Sequence, residues 1–153
     1  MAQTVRVAAV QSKRRTIPYK ISAQDALRQV QANLDELTAL AERAGEMGCH
    51  IVSFPEDTLG TLNWEGGHWD EVPGFLHDAG REMLSRFGEV AARHGMHIIC
   101  CNDCVEGDDI YNTAILLGQD GKEIGRYRKV QPTLSEQWRK RGEDFPVFDA
   151  PGV

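Results

Sequence analysis

The sequence predicts an α/β fold, a sheet with helices packed on it. Short, nearly continuous apolar runs alternate with two long segments whose apolar residues recur every three or four positions. Glycines and prolines punctuate the boundaries between these segments. The chain has 153 residues, enough for one domain, and a domain of that size buries roughly 68–70% of its unfolded surface. Hydrophobic content of 41% and charged content of 26% are those of an ordinary globular chain.

The elements follow in order. Residues 5–11, Val-Arg-Val-Ala-Ala-Val-Gln, read as a first strand, and a polar stretch follows over 12–21. Ser22 with Asp25 three residues on is a variant of the capping box that opens a helix. Ala26, Val30, Leu34, Leu37, Ala41 and Ala44 then form one helical face, and Gly45 and Gly48 end it. Residues 49–54 read as a second strand, stopped by Pro55. Residues 58–70 read as a glycine-rich loop carrying Trp64 and Trp69. Leu76, Ala79, Met83, Phe87 and Val90 mark a second helix with Gly95 as its C-cap. Strands are expected over 96–101, 111–117 and 122–130, the last two joined by a hairpin through Gln119-Asp120-Gly121. Residues 145–153 read as a strand, a turn and the first residue of another strand. A sheet cut there would leave an unpaired edge.

Bulk properties exclude some partners. A net charge of −6 argues against nucleic acid, whose phosphates need clustered Lys and Arg. Lys13-Arg14-Arg15 is a short basic cluster and reads as a solvated loop. No stretch approaches the roughly 20 apolar residues of a membrane span. The N-terminus lacks a basic-then-apolar signal pattern, so a cytoplasmic protein with reduced thiols is expected.

Two charged residues end strand-like runs: Glu56 after Ile51-Val52-Ser53-Phe54-Pro55, and Lys129 after Ile124-Gly125-Arg126-Tyr127-Arg128. Ligands gather at the carboxyl ends of strands in open α/β sheets. A partly buried carboxylate there suits base work, and a lysine can stabilise a developing oxyanion. Taken singly, Glu56 reads more simply as a loop acid beside Asp57, and Lys129 as a solvated edge lysine. Alternation puts Lys129 on the face of Tyr127, with Arg126 and Arg128 opposite. Glu136 follows in Pro132-Thr133-Leu134-Ser135-Glu136, where it could orient Lys129 or serve as a first-turn acid favoured by the helix dipole.

Other chemistry is poorly supported. Cys101-Asn102-Asp103-Cys104 has C-x-x-C spacing but no second pair for zinc and no thioredoxin-like context. Cys49 and Cys100 read as small buried residues. His50, His68, His77, His94 and His97 form no motif, although His68 lies between Trp64 and Trp69, where a ligand could be touched. No glycine-rich phosphate loop follows a strand.

Together these segments resemble the nitrilase or carbon–nitrogen hydrolase superfamily. Val7-Ala8-Ala9-Val10-Gln11 is similar to its opening strand; Asn33-Leu34, Gly48 and Ile51 to Glu56 are similar to the segment delivering a catalytic glutamate. Tyr111-Asn112-Thr113-Ala114, the Asp120-Gly121 turn and Tyr127-Arg128-Lys129 resemble the segment delivering a catalytic lysine. Pro132-Thr133 and Glu136 resemble the loop that in many members carries a second glutamate.

The resemblance implies an α-β-β-α sandwich that usually dimerises, and a Glu-Lys-Cys triad acting on nitriles or amides without a metal or organic cofactor. It implies Glu56 as general base, Lys129 as oxyanion stabiliser and Glu136 as supporting acid. The family nucleophile lies beyond the lysine, whereas Cys49, Cys100, Cys101 and Cys104 all precede Lys129. Residues 1–153 are therefore expected to be the N-terminal portion of the domain, C-terminally incomplete and inactive alone. The expected substrate is a small amide, carbamoyl compound or nitrile, and the expected assembly a homodimer. The Pro132-Thr133 to Glu136 spacing resembles some nitrilases, whereas the Glu56-Asp57-Thr58-Leu59-Gly60 segment is unlike a nitrilase proper, so amide or carbamoyl substrates are expected at least as much as nitriles. The competing reading is a non-catalytic interaction module that pairs with a full-length relative.

Overall fold

Ser22 opens the longest helix as its sequence context predicts. Its hydroxyl accepts a hydrogen bond from the Asp25 N–H at 3.1 Å, and helix α1 runs Ala23–Glu46. The computed structural model describes residues 4–13 and 15–153; Arg14, inside the basic run, lies outside the described residues. The order is β1 (Val7–Ala9), α1, β2 (Ile51–Ser53), α2 (Leu62–Glu65), α3 (Val72–His94), β3 (His97–Glu106), β4 (Asp109–Leu117), β5 (Glu123–Arg128), and a 3-10 turn over Leu134–Glu136.

The strands form one sheet in the order β1-β2-β3-β4-β5. The first three are parallel, and β4 and β5 are added antiparallel. Parallel strands need long crossovers, and α1 and the α2–α3 segment supply them. The α1 face predicted from spacing is buried at every position from Ala26 to Ala44. It packs with the face of α3 that carries Leu76, Met83 and Phe87, and with Val52, Ile98, Cys100, Ile115 and Leu117 of the sheet. Each fully buried aliphatic or aromatic side chain here contributes about 1.5–3 kcal/mol.

The helices cover one face of the sheet. The register puts Ile99 beside Leu116, and Cys101 beside Ala114 and Tyr127 across three strands, on the opposite face, where none of these residues is fully buried. One helical layer and one sheet therefore make half of the expected sandwich.

Gly95 ends α3 with φ +60°, as read from the sequence. Gly121, with φ +78°, sits in the β4–β5 turn, and its backbone packs directly against Gly88 of α3. A Cβ at either glycine would meet the other's carbonyl.

Three expectations differ from the structure. The 58–70 segment holds the one-turn helix α2, with Trp64 fully buried and its Nε1–H donating to the Ile21 carbonyl at 3.0 Å. Strand β3 extends through residue 106, so Cys101 and Cys104 both lie inside it. Residues 145–149 form no strand. Phe145 and Val147 are 75% and 95% exposed, and no neighbouring strand offers them a hydrogen-bonded ladder.

Candidate active site

Glu56 is placed by a tightly tied turn at the end of β2. Phe54 stacks on Phe87 of α3, with ring centroids 4.7 Å apart, and anchors the strand end in the core. Beyond Glu56, Asp57 adopts φ +54°, a conformation Asp tolerates better than most residues. Its Oδ1 accepts from the Thr61 and Leu62 N–H groups at 2.7 and 3.3 Å. Thr58 bonds both ways to Cys101 on β3: its N–H donates to the Cys101 carbonyl at 2.8 Å, and its hydroxyl accepts from the Cys101 N–H at 3.1 Å. Asn33 of α1 donates to the Leu59 carbonyl at 2.8 Å and closes the turn from the helix side.

Lys129 follows β5. Its N–H donates to the Asn112 carbonyl at 2.9 Å, which continues the β4–β5 ladder by one residue. Lys129 and Tyr127 line one cleft, while Arg126 and Arg128 pair with Glu106 on the other face, as alternation predicts. Glu136 sits in the 3-10 turn behind a reciprocal capping box with Thr133.

These elements bring the three sequence-predicted residues together. Lys129 Nζ donates to Glu56 Oε1 at 2.7 Å and to Glu136 Oε1 and Oε2 at 3.2 and 2.9 Å. Glu136 is nearly buried, whereas the Glu56 side chain is 51% exposed. Burial alone would push the Glu136 carboxyl up. The Thr133 N–H, Lys129, Asn112 and the Thr133 hydroxyl outweigh it and hold the carboxyl down at about 2. Burial works against the charged form of Lys129 too, but the two glutamates raise it above its ordinary value. The cluster thus sets one lysine between two glutamates, with Lys129 held in its charged form and Glu136 held as the carboxylate.

Asn112 is the functional residue that sequence reasoning missed. Its Nδ2 donates to Glu56 and, at 2.7 Å, to Glu136 Oε1. It thus bridges the same two glutamate oxygens that Lys129 Nζ also bridges. Cys101 also borders the site, a placement that residue order does not suggest. Its thiol donates to Asn112 Oδ1 at 3.3 Å, and burial, then the Glu56 charge, push it up to about 12. Within β3, residues three apart face opposite ways, so Cys104 packs toward the core and the C-x-x-C pair does not converge. Among the described residues, no group of three His, Cys, Asp or Glu side chains could hold a metal.

Two clefts share Glu56 and Lys129. One, of about 450 Å³, runs under Cys101, Ala114, Tyr127 and Phe145. The other, of about 430 Å³, is walled by Trp69 and Trp138, whose rings meet edge-on with centroids 4.9 Å apart. Of the loop tryptophans, Trp69 therefore reaches the site and Trp64 does not. His68 is not brought to the trio; its ring stacks on Trp64 and bonds the Glu71 carboxylate and the Tyr19 carbonyl. No helix is long and apolar enough to cross a membrane among the described residues.

A half-exposed strand-end carboxyl group, a lysine ammonium and a buried carboxylate are together chemically able to move a proton and to stabilise an anion. The chain is 26% identical over 138 residues to a protein named nitrilase 3 from Arabidopsis thaliana, covering 78% of this chain and 40% of that one. It is 25% identical over 142 residues to a formamidase from Nitratidesulfovibrio vulgaris, covering 89% of this chain and 42% of that one. An amidase structure from Nesterenkonia sp. AN1 superposes with a TM-score of 0.73 at 23% identity, over 97% of this chain and 54% of that one. That likeness is one of fold. The chain spans roughly half or less of each relative's length. The carbon-nitrogen hydrolase family model matches residues 6–153, so this chain belongs to the carbon–nitrogen hydrolase family.

Proposed function

We propose that this chain is the N-terminal part of a hydrolase that cleaves non-peptide carbon–nitrogen bonds in small amides, carbamoyl compounds or nitriles. The observation that carries the reading is Lys129 Nζ, 2.7 Å from Glu56 and 2.9 Å from Glu136 at the mouth of both clefts. In this reading a cysteine supplied from outside these 153 residues is the nucleophile. Its thiol proton passes to Glu56 as the sulfur bonds to the substrate carbon. The carbonyl electron pair moves onto oxygen, where Lys129 stabilises the negative charge. Collapse of that intermediate breaks the C–N bond, and the proton leaves on ammonia or an amine. Water, deprotonated by Glu56, then attacks the thioester carbon; the C–S bond breaks, the acid is released, and Glu56 returns the proton to the cysteine sulfur. Glu136 and Asn112 keep Lys129 charged and aimed. Two of the three relatives described above, a formamidase and an amidase, favour amide substrates, and the third, nitrilase 3, keeps nitriles in the class.

Cys101 does not supply the nucleophile in this reading, because it precedes Lys129, whereas the resemblance places the nucleophile beyond the lysine, and its buried thiol is already committed to Asn112 Oδ1 at 3.3 Å. The 153-residue chain alone is therefore inactive. Homodimerisation and a cytoplasmic location belong to the same reading and rest on the family resemblance alone.

Ammonia release from formamide, acetamide and an N-carbamoyl amino acid tests it. The chain extended past Val153 along its reading frame is expected to turn over at least one of these. Lys129→Met in that extended form should lower the rate about 10²–10³-fold, as loss of one oxyanion donor does elsewhere. Sustained ammonia release by the 153-residue chain, abolished by Lys129→Ala, would overturn the assignment of the nucleophile.

A further inference from the structure

Beside the trio lies a second cluster of ionisable groups. Glu65 of α2, Asp103 of β3 and Arg139, three residues past Glu136, have side chains 0%, 1% and 4% exposed. The Arg139 guanidinium forks between them: Nε and Nη2 donate to Asp103 Oδ2, and Nη2 donates to Glu65 Oε2 at 3.2 Å. One cation thus faces two carboxyl groups in a dry site. Glu65 Oε1 and Asp103 Oδ1 are buried, and neither has a partner among protein donors. Two ionised carboxylates accept only and cannot bond to each other. A single proton between these oxygens satisfies both, since one becomes an O–H donor and the other its acceptor. It also brings the cluster to electrical neutrality. Burial, then the Asp103 charge, push the Glu65 carboxyl up to about 9; Asp103 is raised as well, chiefly by burial.

The cluster also reaches the candidate active site. The Arg139 N–H donates to the Glu136 carbonyl at 2.9 Å, so Arg139 and Glu136 close one turn. Leu134 in that turn is 87% exposed and anchors nothing; the turn is held by the Glu136 carboxylate on Lys129 and Asn112, by the Lys140 N–H on the Ile110 carbonyl at 2.8 Å, and by Arg139. The guanidinium lies 4.1 Å from the Trp138 ring centroid, which extends the same plug to the aromatic wall of the cleft. We propose that Glu65 and Asp103 share one buried proton and, through Arg139, pin the turn that carries Glu136 against the sheet. Glu65, Asp103 and Arg139 are then positioning residues for the Lys129–Glu136 pair. The importance of that pair rests on the function proposed above.

The titratable and charged groups around the shared proton are Cys101 and Cys104 on β3 and Glu136 and Arg139 from the turn segment; the neutral Thr61 hydroxyl before α2 also bears on Glu65. A glutamate protonated in the folded chain and ionised in the unfolded chain above 4.5 makes folding take up a proton. Stability from it is complete below pH 4.5 and is lost as pH rises toward 9.

Urea unfolding of the 153-residue chain and its Glu65→Gln variant between pH 5 and 8 tests the shared proton. Glutamine imitates the neutral acid and cannot ionise. The wild-type unfolding constant should rise about tenfold per pH unit relative to the variant, or about 10³-fold across the window. Equal pH dependence in the two proteins overturns the shared proton. Carboxyl NMR titration of Glu136 tests the positioning. Arg139→Lys keeps the charge but not the fork, so a shift of Glu136 toward 4.5 reports displacement rather than lost charge. Glu65→Gln should leave Glu136 near 2. Glu136 unmoved in folded Arg139→Lys overturns the positioning role. None of these measurements uses turnover, so an inactive extended enzyme sinks the proposed function and leaves this inference standing.

Discussion

Glu136→Gln isolates the strongest electrostatic element of the site. The wild-type carboxylate accepts from Lys129, Asn112, the Thr133 N–H and the Thr133 hydroxyl, and it is held at about 2 against an ordinary 4.5. Because the folded value lies below the unfolded one, the stability it contributes is present above pH 4.5. It is lost as the pH falls toward 2, where the folded state too must take up the proton. The gap is roughly 2.5 pH units at about 1.4 kcal/mol each, or about 3.5 kcal/mol. The side chain is 7% exposed, so solvent screening removes little of this. Glutamine has nearly the same shape and, like the protonated acid, carries no charge. At pH 7 the variant should lose about 3.5 kcal/mol, a fall in Tm of roughly 7–14 °C for a chain of this size. The sharper signature is in the acid limb. Urea unfolding followed from pH 6 to pH 2 should show a wild-type decline that exceeds the variant's by the same amount. Parallel acid limbs for the two proteins would refute the argument, even if the variant were less stable throughout.

Two further outcomes follow from the packing. Cys101, held at about 12 against an ordinary 9.0, should react with iodoacetamide at pH 7.5 about 10²–10³-fold more slowly in the native chain than in urea. Mass spectrometry of the alkylated peptide reads this directly, and rapid native labelling would show that the thiol is not buried beside Glu56. Gly88→Ala would place a Cβ 2.6 Å from the Gly121 carbonyl oxygen, with backbone on both sides. The α3 contact with the β4–β5 turn must then open, at a cost of about 1–3 kcal/mol. An unchanged urea midpoint would show that this close approach does not exist.

What could be read in advance was whatever one element determines by itself. The faces of α1 and α3, the Ser22 cap and the Gly95 stop depend on spacing and local chemistry, and each lies where spacing puts it. Glu56 and Lys129 were legible because each follows a strand, and alternation alone separated Lys129 from Arg126 and Arg128. Asn112 was hidden because its role depends on register: only when β4 pairs with β5 does its carbonyl meet the Lys129 N–H and its side chain reach two glutamates. Arg139 reads as one more charge in a basic stretch, yet it is buried against carboxylates 36 and 74 residues away. Residues 145–149 show the converse. Their alternation reads as a strand, but a strand is a property of two chain segments, and no second segment is present to pair with it. The Lys129 ammonium is therefore the point where the local and non-local halves of the site meet. Its own position follows from β5, and its charge state and aim follow from Asn112, Glu56 and Glu136, none of which is close to it in β5 itself.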